Sequence, residues 1–172
     1  MMHYPVMNGH TELIAHIGDP THSFKAPLIY NPHFGAQNIN AMVVTMGCAA
    51  EDFAAFLPTI FKLKNMRGAL ITMPHKISVV NLLDEVSTTV KVAGACNAVK
   101  KVGGKLHGDM FDGEGFVRGL ARKGFVVRGA AALVVGSGGV GSAIAASLAK
   151  HGIAALTLYD VNQASSEALA QR

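Results

Sequence analysis

Apolar residues come along this chain in short runs, separated by longer segments of helical pattern, and the two periods alternate from end to end. Residues 11–17 read as a first strand, stopped by Gly18-Asp19-Pro20. Ser23 is placed to N-cap a short helix through Tyr30, with Pro27 in the first turn, where its missing N–H removes no bond. Residues 39–46, around the run Ala41 to Val44, predict a second strand. A helix is expected over 51–63, with acids at its start and Pro58 set to kink or split it. Residues 69–72 predict a third strand closed by Pro74, and 76–86 a helix with Ile77, Val80 and Leu83 on one face. Segments 96–102 and 105–110 flank Gly103-Gly104 as a two-residue hairpin, and 112–123 predict a further helix.

Beyond that helix the pattern tightens into strand, glycine turn, helix and strand. The run 132–135 is short and β-branched at its end, as expected of a buried parallel strand. Gly136, Gly138 and Gly141 then fall in G-x-G-x-x-G spacing. Gly136 makes the tight turn, Gly138 lets the backbone approach a pyrophosphate, and Gly141 lets the helix pack on the strand. The free N–H groups of Ser137, Gly139 and Val140 complete an anion cradle. Small residues favour a helix over 139–151, stopped by Gly152. The strand 155–159 ends in Asp160, near the ~20-residue offset at which an acid meets the ribose hydroxyls of a dinucleotide. A doubly wound nucleotide domain has more strands than these two, so the unit reads as the start of one, followed by a helix start at 163–172. The expected architecture is α/β: an N-terminal α/β substrate domain over 1–111, then the incomplete start of a Rossmann-type nucleotide-binding domain over 112–172.

Composition narrows the function classes. Half of the 172 residues are apolar, enough for a sizeable core. No window reaches the ~18 uninterrupted apolar residues of a membrane span, and the first ten residues lack the basic and apolar regions of a signal peptide. Cys48 and Cys96 stand apart with no C-x-x-C spacing, which fits a reducing, cytoplasmic setting. The net charge of +4 comes from scattered lysines and arginines with no aromatic-flanked cluster, which argues for anionic small molecules and against nucleic acid. The eight histidines show no ligand spacing, so no metal site is expected. Pairing of an exposed strand edge into a homodimer is left open.

Four separated stretches, in order, resemble the shikimate dehydrogenase family. Gly18 to Phe34 looks like the family's first segment, whose Ser-x-Ser pair holds the substrate carboxylate; Ser23 stands for the first serine and Lys25 for the second. Gly68 to Lys76, GALITMPHK, resembles G-x-N-V-T-x-P-x-K, which implies a substrate contact for Thr72 and a catalytic role for Lys76, with Leu70 replacing asparagine. Gly94 to Ala98, GACNA, resembles G-A-x-N-T and implies that Asn97 binds substrate. Gly108 to Gly115, GDMFDGEG, resembles G-x-N-T-D-G-x-G and makes Asp112 the second catalytic residue, with Met110 and Phe111 replacing asparagine and threonine. The family's final helices, which return to the substrate domain, have no counterpart in these residues.

Hydride transfer from an alcohol to a nicotinamide needs a group that takes the hydroxyl proton. A lysine with the usual pKa of about 10.4 is a poor base at neutral pH, so a proton network shared by Lys76 and Asp112 is expected. The leading expectation is an oxidoreductase acting on a cyclic hydroxy acid of the shikimate or quinate type. The competing one is a non-catalytic, metabolite- or cofactor-responsive module of the same fold; retention of Lys76 and Asp112 favours the enzyme. NADP-using members of the family typically carry an Asn-Arg pair where this chain has Asp160-Val161, so NAD is expected in preference to NADP.

Overall fold

A computed structural model describes residues 6–172. The first sheet has six strands in the order β2-β1-β3-β5-β6-β4. They are β1 (Glu12–Gly18), β2 (Ala41–Gly47), β3 (Met66–Ile71), β4 (Glu85–Val86), β5 (Ala98–Val102) and β6 (Lys105–Asp109). β1 lies parallel to both β2 and β3, whereas β5 is antiparallel to β3 and to β6. Helices α1 (Ala26–Ala36), α2 (Phe53–Ile60) and α3 (Thr88–Ala93) belong to this part. A second sheet pairs β7 (Ala131–Val135) with β8 (Ala155–Tyr159) in parallel, with α4 (Asp112–Arg122), α5 (Gly139–Lys150) and α6 (Gln163–Gln171) around it. The whole is the mixed α/β fold that the alternating pattern predicts.

The main core forms where Ala15 and Ile17 of β1 and Ala69 and Ile71 of β3 meet Phe53, Leu57 and Ile60, the apolar stripe of α2. That helix continues past Pro58 to Ile60, losing only the one backbone bond that Pro58 cannot donate. α1 starts after Lys25, not at Ser23, and reaches Ala36. Ser23 sits in a preceding 3₁₀ turn, its hydroxyl donating to Pro20 O at 3.4 Å. Buried Asn31 pins α1 to the edge strand β2 by exchanging two hydrogen bonds with the backbone of Val43, at 2.8 and 3.0 Å. The glycine hairpin forms as expected: Gly103 and Gly104 both have positive φ, 58° and 86°, which twists β5 onto β6.

Residues 76–86 depart from the expected helix. They form a 3₁₀ segment, Ser78–Leu82, followed by β4. Val79 takes the fully buried core position, Val80 and Leu83 pack against the core only in part, and Ile77 is 57% exposed, so the anticipated stripe does not form one buried face. The backbone finds sheet partners instead: Asp84 N–H donates to Leu106 O, and Leu106 N–H donates to the Asp84 carboxylate at 2.7 Å. Helix α3, which periodicity did not reveal, is bounded by local chemistry. Ser87 Oγ accepts from Val90 N–H, and Gly94 ends the helix at φ 65°.

β7 is not buried on both faces as its composition suggested. Ala132 and Val134 pack toward Val117, Val127 and Leu148, while Leu133 and Val135 are 61% and 69% exposed. Helices cover one face of the two-stranded sheet, and a parallel strand is shielded from solvent on both faces only when helices lie on both.

Candidate active site

The carboxyl end of β3 runs into the segment carrying Thr72, Pro74 and Lys76. Thr72 N–H donates to Ile17 O at 2.9 Å, and Cys96 N–H donates to Lys76 O at 2.8 Å, so this segment is tied to both the first strand and the turn before β5. Lys76 Nζ is ion-paired with Asp112 Oδ2, and both side chains are largely buried. The other carboxylate oxygen, Oδ1, accepts from Asn97 Nδ2 at 2.6 Å, and Asn97 Oδ1 accepts from Phe111 N–H at 3.0 Å. Asn97 thereby fixes the entry into α4, whose first residue is Asp112, where the helix dipole favours a carboxylate.

Gly113, the next residue, has no room for a side chain. A Cβ there would overlap Ala143 O and Ser147 Oγ of α5. The two helices therefore meet backbone to backbone beside Asp112, and Glu114 bridges them by pairing with His151 at 3.1 Å while also pairing with Arg118 of its own helix at 2.8 Å.

The glycine turn lies next to this pair. Gly136 has φ 98°, and a Cβ on Gly141 would collide with Gly136 O. A Cβ on Gly138 would meet no atom within 4 Å, so the space in front of the α5 N-terminus is open. A Cβ on Gly139 would lie 3.3 Å from Cβ of both Lys76 and Ala95, which brings the turn against the lysine. Ser142 Oγ donates to Ser137 O, bracing the loop from within the helix. These features fit a dinucleotide pyrophosphate at Gly136, Gly138, Gly139, Val140 and Gly141, whereas the Ser137 N–H, expected to be free, is taken by the Asp160 carboxylate. Asp160 accepts from Ser137 N–H at 2.5 Å and from Asn162 N–H at 2.8 Å. These two backbone donors, Ser137 first, hold its carboxyl below the usual pKa. A cleft of about 760 Å³ joins Met73, Pro74, Lys76 and Ile77 to the turn and to β7.

Thr72 and Asn97 are half-buried, whereas Ser23 in the 3₁₀ turn and Lys25 just before α1 are exposed. Of the replaced family positions, Met110 is buried and Phe111 is 54% exposed. His75, next to the lysine, is a core residue: it stacks on Phe53 with ring centroids 4.0 Å apart, and its Nε2 lies 2.8 Å from Cys48 O. Two residues escaped sequence reasoning. Gly113 positions Asp112 through helix packing that no local pattern announces. His16 on β1 is buried, with its pKa lowered by burial and then by the charge of Lys76. Among the described residues no cluster of histidine, cysteine and acidic side chains could hold a metal ion, and no helix is long and apolar enough to cross a membrane.

An α/β layer carrying a lysine–aspartate pair, set against a glycine turn of dinucleotide-binding type, defines a two-part α/β class of protein. Residues 16–99 match the family model described as the shikimate dehydrogenase substrate binding domain. The chain belongs to the shikimate dehydrogenase family. It is 34% identical over 166 residues to shikimate dehydrogenase (NADP(+)) of Geobacter metallireducens, covering 96% of this chain and 58% of that protein. To the protein of the same name in Alkaliphilus oremlandii it is 34% identical over 155 residues, covering 90% and 54%. The chain thus spans somewhat over half the length of these relatives. Among solved structures it superposes on shikimate 5-dehydrogenase from Listeria monocytogenes, in complex with shikimate and NAD, with a TM-score of 0.88 at 26% identity over 96% of this chain and 58% of that one. The Thermus thermophilus enzyme in complex with NADP(H) and shikimate gives 0.84 at 27% identity over 94% and 60%.

Proposed function

We propose that this chain binds a cyclic hydroxy acid of the shikimate or quinate type and interconverts it with its 3-dehydro ketone, using a nicotinamide dinucleotide. The observation that carries this reading is the Lys76–Asp112 ion pair, bridged by Asn97 and set against the glycine turn. In the oxidising direction the substrate hydroxyl gives up a proton from oxygen as hydride leaves carbon. The Lys76–Asp112 network receives that proton: as the Asp112 carboxylate takes a proton from the Lys76 ammonium, the freed amine takes the one leaving the substrate hydroxyl. The nicotinamide, when bound, accepts the hydride. Thr72 and Asn97 hold the substrate beside the lysine, with Ser23 and Lys25 toward its carboxylate. On this reading residues 1–111 bind substrate and residues 112–172 begin the nucleotide-binding part of a cytoplasmic enzyme.

The names of the relatives weigh toward NADP. This chain's own residues weigh the other way, because the end of β8 carries the carboxylate of Asp160 followed by Val161, with no cation in the next positions. A carboxylate accepts hydrogen bonds from the ribose hydroxyls of NAD, whereas against a 2′-phosphate it is a like charge. NAD is therefore the proposed nucleotide.

The test is direct. Shikimate or quinate is mixed with the protein and either NAD or NADP, and the reduced nucleotide is followed by its absorbance. Reduction is expected with at least one acid. No reduction by folded protein with any of the four pairs overturns the oxidoreductase reading, and binding of an acid without reduction supports the metabolite-responsive module.

A further inference from the structure

β1 turns alternate side chains to opposite faces of its sheet. Ala15 and Ile17 enter the core, and His16 faces the other way with Gly18. On that second face a Cβ on Gly18 would meet Thr72 Cγ2 and lie 3.0 Å from Phe24 Cζ. The His16 ring centroid is 4.2 Å from that of Phe24, tilted by 31°. The imidazole thus sits on the Thr72 side of the sheet, close enough to Lys76 to feel its charge. His16 is only 8% exposed, and its Nδ1 is the one fully covered side-chain nitrogen or oxygen without a hydrogen-bond partner among the described residues.

The ladder supplies a reason. His16 is in register with Leu70 of β3, the position at which the family pattern has asparagine. Side chains registered across neighbouring strands share a face, so a polar group missing from β3 reappears one strand away. Burial and the Lys76 charge keep the imidazole neutral at pH 7, with one ring nitrogen donating and the other accepting. The ring tilted against it belongs to Phe24, itself half-buried.

We infer that His16 is a specificity-determining residue of the substrate cleft, exchanging a hydrogen bond with a ring hydroxyl of the hydroxy acid in place of the amide absent at Leu70. The inference rests on the hydroxy-acid reading above. A covered nitrogen without a partner favours a ligand that brings one, and disfavours an analogue lacking that hydroxyl.

Calorimetric titration with shikimate tests it on wild type, His16→Leu and the double variant His16→Leu/Leu70→Asn. Removal of the imidazole is expected to weaken binding roughly 10- to 100-fold, and the restored asparagine to recover most of that loss. Equal affinity of wild type and His16→Leu overturns the inference. NMR of the histidine ring nitrogens in wild-type protein gives a second reading that depends on no variant folding. The His16 Nδ1 resonance is expected to move on saturation with shikimate, and an unmoved resonance overturns the inference. If wild type binds neither shikimate nor quinate, the functional reading itself fails, an outcome distinct from binding that ignores His16.

Discussion

Lys25 is exposed at the start of α1 and makes no ion pair among the described residues, so its charge is free to meet an anion. Contacts of exposed charges contribute about 0–1 kcal/mol, and salt screens them. Lys25→Ser is expected to raise KM for the acid up to about fivefold at low ionic strength, with the difference shrinking in high salt. An unchanged KM at low salt removes Lys25 from substrate recognition. The cysteines follow the opposite logic. Burial pushes the Cys96 thiol up to about 11, against the pull of its contacts with Ala98 and Asp109, so at neutral pH the nucleophilic thiolate is scarce. Iodoacetamide is expected to label Cys48 and Cys96 only on unfolding, and rapid labelling of native protein would contradict their burial. At this scale the sequence already displayed Lys76, Asp112, Asn97 and Thr72, because each sits in a short motif of fixed spacing. His16 and Gly113 were illegible, since Phe24, Leu70 and Ala143, which give them meaning, are remote in sequence.

The seam between α4 and α5 places Asp112, and it is testable as an element. Gly113→Ala puts a methyl onto Ala143 O, with overpacking expected to destabilise the fold by about 1–3 kcal/mol and to draw Asp112 away from Lys76. Thermal denaturation with an activity assay checks both; a variant with unchanged Tm and turnover would show that the seam has slack. Arg118 on the same helix, and then His151 across the seam, hold the Glu114 carboxyl down to about 2. A carboxyl depressed in the folded state contributes stability above its unfolded pKa and loses it as pH falls through the folded one. The Tm gap between wild type and Glu114→Gln is therefore expected to be full above pH 4.5 and to shrink toward pH 2. Glu114 is 31% exposed, so screening keeps that gap within the ~1 kcal/mol of surface pairs. A gap that widens on acidification would contradict the sign. Element by element, strands and glycine turns were readable because their signals are local. The 76–86 segment misled because an apolar spacing of three or four residues also fits a 3₁₀ turn and short strand, and only pairing with β6 selects the latter.

At the scale of the molecule, the two sheets meet where the Lys76–Asp112 pair faces the glycine turn, and the proposed nucleotide and chemistry both depend on that meeting. For the nucleotide, a like-charge pair at ~4 Å costs about 1 kcal/mol in water and about 4 at an effective dielectric of 20. NAD is thus expected to bind roughly 10- to 1000-fold more tightly than NADP, and Asp160→Ser to narrow the ratio. Equal or tighter binding of NADP by wild type would assign the chain to the habit of its named relatives. For the chemistry, the most direct measurement is a double-mutant cycle on turnover with Lys76→Ala, Asp112→Asn and both together. A shared proton network predicts that each single change lowers turnover by about 10²-fold or more and that the double change costs little beyond either one. Near-normal turnover in Lys76→Ala, or losses that multiply independently, would contradict it.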